Sequence, residues 1–359
     1  MRVLLLTRYG RLGASSRLRA YQYVPYLESH GFQIIPFPFF NDSHQRTLYE
    51  GHSPRLGKVA VAYVKRLLRL ARSASFDLLW IEYEIFPWLP ALAERALRAL
   101  GIPYAVDYDD AIFARYEHHP SRLVRLLLRR KIDTVMRCAN VVIGGNDFLV
   151  QRAEAVGASR VALIPTVVDI TRYQPRPRQS DGVFTIGWIG SPSTAGYLSL
   201  IAPALAEICE KGRARLVVVG PRDVSLNGVP AEVRPWSEDT EAADIAEFDV
   251  GIMPLPDEPW ERGKCGYKLI QYMASMRPVI ASPVGANQQI VEHGVNGFLA
   301  TTHHEWLRAL TTLKSSPELR DRFGRAGRQR VEADYNLLLT APRLAQVLRN
   351  VALTSDAAS

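Results

Sequence analysis

The sequence predicts an α/β protein built from two Rossmann-like αβα domains in tandem. Three observations carry this. Short, almost wholly apolar runs alternate with helix-length amphipathic segments, twice along the 359 residues; such runs form strands buried on both faces of a parallel sheet. Each half opens with one of these runs leading into a glycine turn, at Gly10 and Gly13 in the first half and at Gly190-Ser191 in the second. Between the halves lies a proline-containing stretch without apolar periodicity, which reads as a linker.

In the first half, residues 2–7 read as a strand, followed by a loop, 8–16, rich in glycine and basic residues. Ser15 or Ser16 is placed to cap a helix over 17–30. Gly31 ends that helix, and 32–36 is the next strand, which completes a βαβ unit. Ligands of such sheets sit at the carboxyl ends of strands, so Arg11, Gly13, Ser15 and Arg17 are candidate contacts. The Gly10-x-x-Gly13 spacing is not the dinucleotide fingerprint, which argues against NAD. A strand over 77–83 exits through Glu82 and Glu84. Another, 104–106, runs into Asp107-Tyr108-Asp109-Asp110. Crowded carboxylates repel one another and raise at least one pKa, a common property of functional acids. Asp109 and Asp110 are the candidates here, as sugar-hydroxyl acceptors or as metal ligands; a solvated helix-capping turn is the plainer use.

In the second half, strand 184–189 ends in Gly190-Ser191-Pro192-Ser193-Thr194. Residues 230–236, ending in Pro235 and Trp236, and a helix over 240–247 lead on to the next stretch. The richest stretch is 251–300. Strand 248–255 meets a polar loop, 256–266, then a helix over 267–276 and a strand over 278–283. A strand, loop and helix start point spare backbone N–H groups and the positive helix end at one spot, an arrangement that binds phosphate. Lys264 and Lys268, four residues apart, share a face of that helix start. Gly263 and Gly266 let the backbone come close to a ligand, with Cys265 and Tyr267 beside them. The alternative is a plain βαβ unit with solvated lysines. Later helices are expected at 305–313, 317–335 and 336–353, the last broken near Pro342.

The net charge is +8 and unevenly placed. Residues 1–173 hold 24 Lys/Arg and 15 Asp/Glu, against 20 and 21 in the remainder. A basic first half favours a polyanionic partner. Two basic amphipathic helices are expected there, at 55–72 and 121–137. In the first, Leu56, Val59, Ala60, Tyr63, Val64, Leu67 and Leu68 form an apolar stripe opposite Lys58, Lys65, Arg69 and Arg72. Such helices either lie on an anionic membrane surface or pack the stripe into a core. Nucleic acid is not expected as a partner, because interleaved aromatics and the known binding motifs are missing. Three widely spaced cysteines argue against disulfides or a zinc site and suit a reducing cytoplasm. No apolar run reaches transmembrane length, and the N-terminal run is too short for a signal peptide.

Taken together, the two glycine turns, the 165–169 segment (PTVVD) and residues 264–300 (KCGYKLIQYMASMRPVIASPVGANQQIVEHGVNGFLA) resemble the retaining glycosyltransferases of family four. The resemblance spans essentially the whole chain, and its 264–300 part is specific. It implies the GT-B fold: an acceptor domain at 1–173, a linker at 174–182, a nucleotide-sugar domain at 183–335, and a C-terminal helix, 336–359, crossing back to the first domain. It also implies sugar transfer from a nucleotide sugar to an acceptor hydroxyl with retention, without metal or other cofactor.

Carried onto this chain, the resemblance assigns diphosphate binding and catalysis to Lys264 and Lys268. Gly190, Ser191, Ser193, Gly263, Cys265, Gly266 and Tyr267 would surround the donor, Pro235 and Trp236 its base, and Gln271 its ribose. Arg11, Gly13, Ser15 and Arg17 would receive the acceptor. The chain departs from the family pattern in three places. Gly263 and Gln271 replace the two glutamates of the E-x7-E motif, which leaves Asp257, Glu258 or Glu261 to meet the sugar. The basic pair after Gly190 is missing. Asp109 and Asp110 stand where a histidine is common, and are carried as catalytic candidates that would bind a donor-sugar hydroxyl or stabilise positive charge at the anomeric carbon. The expected acceptor is a bacterial envelope glycolipid or polysaccharide, and the expected location is the cytoplasm, peripheral on the inner face of the cell membrane. A sugar-nucleotide epimerase and a non-catalytic sugar-nucleotide-binding protein are the competing readings.

Overall fold

The computed structural model describes residues 1–49, 56–174, 182–210 and 212–356. Most of the expected linker, 174–182, lies outside them. The chain forms two compact units: Met1–Thr166 with Thr340–Ser359, and Val167–Leu339.

The first unit is built on a sheet of six parallel strands: β1 (Arg2–Leu6), β2 (Gln33–Pro36), β3 (Leu78–Glu82), β4 (Tyr104–Tyr108), β5 (Val141–Gly144) and β6 (Val161–Leu163), in the order β2-β1-β3-β4-β5-β6. β3, β4 and β5 are buried along their whole length. Apolar side chains on both faces therefore meet helices, as their unbroken apolar runs require. The chain enters at β1, steps to β2, then returns past β1 to β3. The direction of winding reverses between β1 and β3, which opens a crevice at their carboxyl ends.

The second unit repeats the plan with β7 (Phe184–Ile189), β8 (Ala214–Val219), β9 (Ala231–Arg234), β10 (Val250–Met253), β11 (Val279–Ala281) and β12 (Gly297–Leu299), in the order β12-β11-β10-β7-β8-β9. Its reversal lies between β7 and β10. One core cluster holds Trp188, Leu205 and Trp306; the other holds Phe248, Leu269, Tyr272 and Ile290.

Several local expectations are corrected. The helix expected over 17–30 is divided into Ala14–Arg19, a 3-10 turn Tyr21–Tyr23, and Val24–Ser29. Gly13 is its N-cap and neither serine caps it. The 121–137 helix is two, Arg122–Leu128 and Lys131–Cys138. Lys131 is drawn inward, where its Nζ meets Glu84 at 2.5 Å. The last helix runs unbroken over Leu337–Asp356 with Pro342 inside it. The acceptor that Pro342 leaves unpaired is the Leu338 carbonyl, and Leu338 is exposed. Tyr173 packs in the second unit's core, its hydroxyl donating to Glu241, so residues 167–173 go with that unit. Helix Leu56–Leu70 does not bury the expected stripe. Arg66 is the residue turned fully inward, donating to the carbonyls of Thr7 and Phe37. Leu56, Ala60, Val64, Leu67 and Leu68 face solvent. Among the described residues no helix is long and apolar enough to cross a membrane.

Candidate functional site

The reversal between β7 and β10 gathers the expected donor residues of the second unit. β7 ends at Gly190, whose N–H donates to the Val219 carbonyl. The loop after β10 leads through the turn Pro259–Arg262 to Gly266, the N-cap of helix Tyr267–Ala274. Gly266 has φ of 65°, the left-handed conformation, and a Cβ there would collide with Ile290. Only glycine satisfies both conditions. No side chain caps this helix, and the Leu269 N–H turns back to the Gly266 carbonyl.

Lys268, on the first turn, lies against the end of β7. A Cβ on Gly190 would stand 2.7 Å from Lys268 Cε, and Lys268 Nζ lies 5.2 Å from the Trp188 ring centroid. Tyr272 fixes this placement. Its ring packs on Gly251 of β10, and its hydroxyl accepts the Ile189 N–H at 3.0 Å. One buried side chain therefore locks the lysine-bearing helix to both strands that form the crevice. Lys264 is half-buried with Nζ 5.5 Å from the Trp260 ring centroid, a modest cation–π attraction. Gly263 and Cys265 are buried beneath the turn, and Tyr267 is half-buried. Ser191 and Ser193 join hydroxyls at 2.9 Å.

Three carboxylates are candidates for the sugar, and their settings differ. Asp257 is exposed and paired with Arg262 at 2.7 Å, and Glu258 is exposed. Glu261 is buried; Tyr197 donates to its Oε1, and its Oε2 has no hydrogen-bond partner. A buried carboxylate oxygen without a donor is costly, which singles out Glu261. Gln271 is not at the surface. It is buried, and its amide donates to the Tyr173 hydroxyl at 2.9 Å. Tyr173 and Trp236 donate in turn to the two oxygens of Glu241, at 3.0 and 2.9 Å. Pro235 is exposed beside this network.

In the first unit the carboxyl ends of β1 and β3 hold a group to which the sequence pattern assigns no role. Glu82 is buried. The Ser16 hydroxyl and the Arg8 N–H donate to its Oε2 at 2.6 and 2.8 Å, and Oε1 has no partner. Burial pushes its carboxyl up to about 7, against the lowering effect of those two bonds. The signal in the sequence is a glutamate ending an otherwise apolar strand. Neighbouring Glu84 is held by Arg8 and Lys131. Tyr83 takes φ of 63°, unusual outside glycine, and its hydroxyl donates to Asp109. Asp110 is half-buried. Asp107 does not join them. It faces Arg19 in a two-point ion pair of 2.7 and 3.2 Å. Among the described residues no group of His, Cys, Asp and Glu is arranged to hold a metal ion. Arg11 is exposed, Ser15 half-buried, and Gly13 and Arg17 buried, with Arg17 Nη1 directed at the Arg11 carbonyl at 3.5 Å.

Glu82 has a measurable consequence. The native state keeps its proton up to about pH 7, whereas the unfolded chain releases it near the ordinary value of 4.5. Stability therefore falls as pH rises through that window. Glu82→Gln keeps the amide oxygen as acceptor for Ser16 and Arg8 and removes the fall. The variant is expected to be more stable by about 3 kcal/mol at about pH 8 and by no more than about 1 kcal/mol at about pH 5. Urea unfolding at both pH values measures this; an equal difference at the two would reject it.

Two parallel-sheet units, the second with a lysine-bearing helix start at its switch point, define a two-domain α/β protein of the nucleotide-binding class. Residues 2–166 match the family model described as glycosyl transferase 4-like domain, and residues 183–315 the model described as glycosyl transferases group 1. The chain belongs to the glycosyltransferases, and its fold is GT-B. No curated protein matches it by sequence. Among solved structures, HepE of Anabaena in complex with UDP and glucose is 18% identical, with a TM-score of 0.72 over 98% of this chain and 100% of that one. Sucrose-phosphate synthase of Thermosynechococcus elongatus is 16% identical, TM-score 0.72, over 100% of both chains. WaaG, a glycosyltransferase involved in lipopolysaccharide biosynthesis, is 13% identical, TM-score 0.70, over 97% of this chain and 99% of that one. At these identities the likeness is one of fold.

Proposed function

We propose that the enzyme transfers a sugar, with retention at the anomeric carbon, from a nucleoside diphosphate sugar to a hydroxyl of an envelope glycolipid or polysaccharide. The observation that carries this is the Gly190, Lys268 and Gly266 arrangement at the β7–β10 reversal. The donor's diphosphate meets the uncapped helix start and the Lys268 and Lys264 ammonium groups. The bond from the anomeric carbon to the diphosphate oxygen breaks, and its electron pair stays on that oxygen. The acceptor oxygen then attacks from the same face, and its proton passes to the departing diphosphate. Glu261 Oε2 receives a hydroxyl of the donor sugar. Ribose meets the network of Gln271, Tyr173 and Glu241, and Pro235 and Trp236 border the base. Arg11, Gly13, Ser15, Arg17, Asp109 and Asp110 serve the acceptor. No metal takes part. The enzyme works in the cytoplasm, on the inner face of the cell membrane, through residues 55–72 and 121–137.

The similarity of the fold to a protein solved with UDP supports this choice of donor. The test is a thermal-shift screen of nucleoside diphosphates and their sugars in EDTA, followed by the anomeric configuration of the product. A ligand at 100 times its Kd is expected to add about 2.7 kcal/mol of stability. Absence of any nucleotide shift, an inverted product, or an epimerised nucleotide sugar formed without acceptor would each overturn the proposal.

A further inference from the structure

One face of the first unit is apolar where it meets solvent. On helix Leu56–Leu70, Val64, Leu67 and Leu68 stand outward, Leu68 with 65% of its surface exposed. On helix Arg122–Leu128, Leu123, Leu126 and Leu127 do the same at i, i+3 and i+4, Leu126 at 78%. The loop after β3 is fastened to helix Leu56–Leu70 and to the two helices that flank Arg122–Leu128 in the chain, Ile112–Glu117 and Lys131–Cys138. Tyr63 of the first helix donates to the Pro87 carbonyl. On the other side Lys131, three residues beyond Leu128, donates to the Phe86 carbonyl at 2.5 Å, and the Trp88 N–H donates to the Tyr116 hydroxyl at 3.1 Å. Trp88, at the tip, is 42% exposed and has φ of 61°. The fold thus holds a large aromatic outward in a backbone conformation that such residues avoid.

We propose that this face inserts into the headgroup region of an anionic lipid bilayer. The charge pattern selects that occupant. Residues 56–72 and 121–131 contain no Asp or Glu. Lys58, Lys65, Arg72, Arg122, Arg129 and Arg130 are exposed beside the apolar residues. A second copy of the chain would bring the same sign of charge against them, whereas anionic lipid satisfies both the charges and the leucines. The inference deepens the membrane part of the proposed function and rests on it; it adds apolar insertion to surface attraction. Sugar transfer plays no part in its test.

The experiment is co-sedimentation of the full chain with phosphatidylcholine vesicles, with and without phosphatidylglycerol, at low and high salt. Binding is expected only with phosphatidylglycerol, part of it persisting in high salt. The neutral triple variant Leu67→Ser, Leu68→Ser and Leu126→Ser is expected to bind at least about tenfold more weakly and to lose the salt-resistant part. These side chains already face solvent, so its unfolding curve should overlay that of the parent. Leu200→Ser, an exposed leucine of the second unit, should change nothing. If the triple variant binds like the parent and salt removes all binding, insertion fails while surface attraction stands. If neither vesicle is bound, both fail. A concentration-dependent dimer that the triple variant abolishes would make the face an interface between copies and overturn the proposal.

Discussion

Lys268→Ala is expected to lower kcat for sugar transfer by about 10²–10³-fold, the range found when one preorganised charge stabiliser is removed from a site where negative charge develops. The expectation rests on where the ammonium group is held. Its stem passes Gly190 and its Nζ lies over Trp188. Helix Tyr267–Ala274 is tied to β7 by the Tyr272 hydroxyl. The charge therefore sits at a fixed point beside uncapped N–H groups and needs no reorganisation as the diphosphate leaves. Lys268 is half-buried, so truncation leaves the core intact, and the melting temperature should move little. Loss of kcat at saturating donor, with a smaller rise in KM, would mark an interaction strengthened in the transition state. Lys268→Arg should recover part of the rate. Unchanged kcat in the alanine variant would refute the assignment and move the diphosphate away from the β7–β10 reversal.

The route to this site was largely visible in the sequence, because the features that build it are local. Apolar runs announce strands, and Gly266 marks a point where the backbone can come close to a ligand. The four-residue spacing of Lys264 and Lys268 does not put them on one helical face, because Lys264 precedes the left-handed N-cap Gly266 and lies outside the helix. What escaped depends on partners distant in the chain. Periodicity shows which residues of helix Leu56–Leu70 share a face, but not which face turns inward. That is decided by Arg66, whose guanidinium finds the Thr7 and Phe37 carbonyls and stacks near Phe37 and Phe39. Once an arginine occupies the inward side, most of the leucines must point out. Gln271 is drawn inward by Tyr173, 98 residues earlier. Glu261 stands out from Asp257 and Glu258 only when burial can be compared. The same holds for residues 107–110, which read as one acidic group. Asp109 and Asp110 remain near Tyr83, while Asp107 is claimed by a residue 88 positions away.

That claim sets the largest stability effect expected in the first unit. Arg19→Ala should destabilise the protein by about 3–5 kcal/mol, the usual consequence of leaving one member of a buried ion pair alone. Arg19 and Asp107 are both buried. Arg19 also donates to the Ile164 carbonyl at 2.7 Å and to Thr166 at 3.3 Å, so its loss strips β4 and the end of the first unit's chain of a shared donor. Even beside Arg19, burial raises the Asp107 carboxyl to about 6. Without the guanidinium it must rise further. A folded-state value above the unfolded one means that stability falls as pH climbs through that interval. The Arg19→Ala deficit is therefore expected to be larger at about pH 8 than at about pH 5, where Asp107 can take up a proton. Asp107→Asn in the Arg19→Ala background should recover part of the loss at the higher pH, because the amide carries no charge to strand. Urea unfolding of the single and double variants at the two pH values decides the matter. A deficit independent of pH, with no recovery in the double variant, would mean that Arg19 acts through packing and its bonds to Ile164 and Thr166 rather than by holding the Asp107 charge.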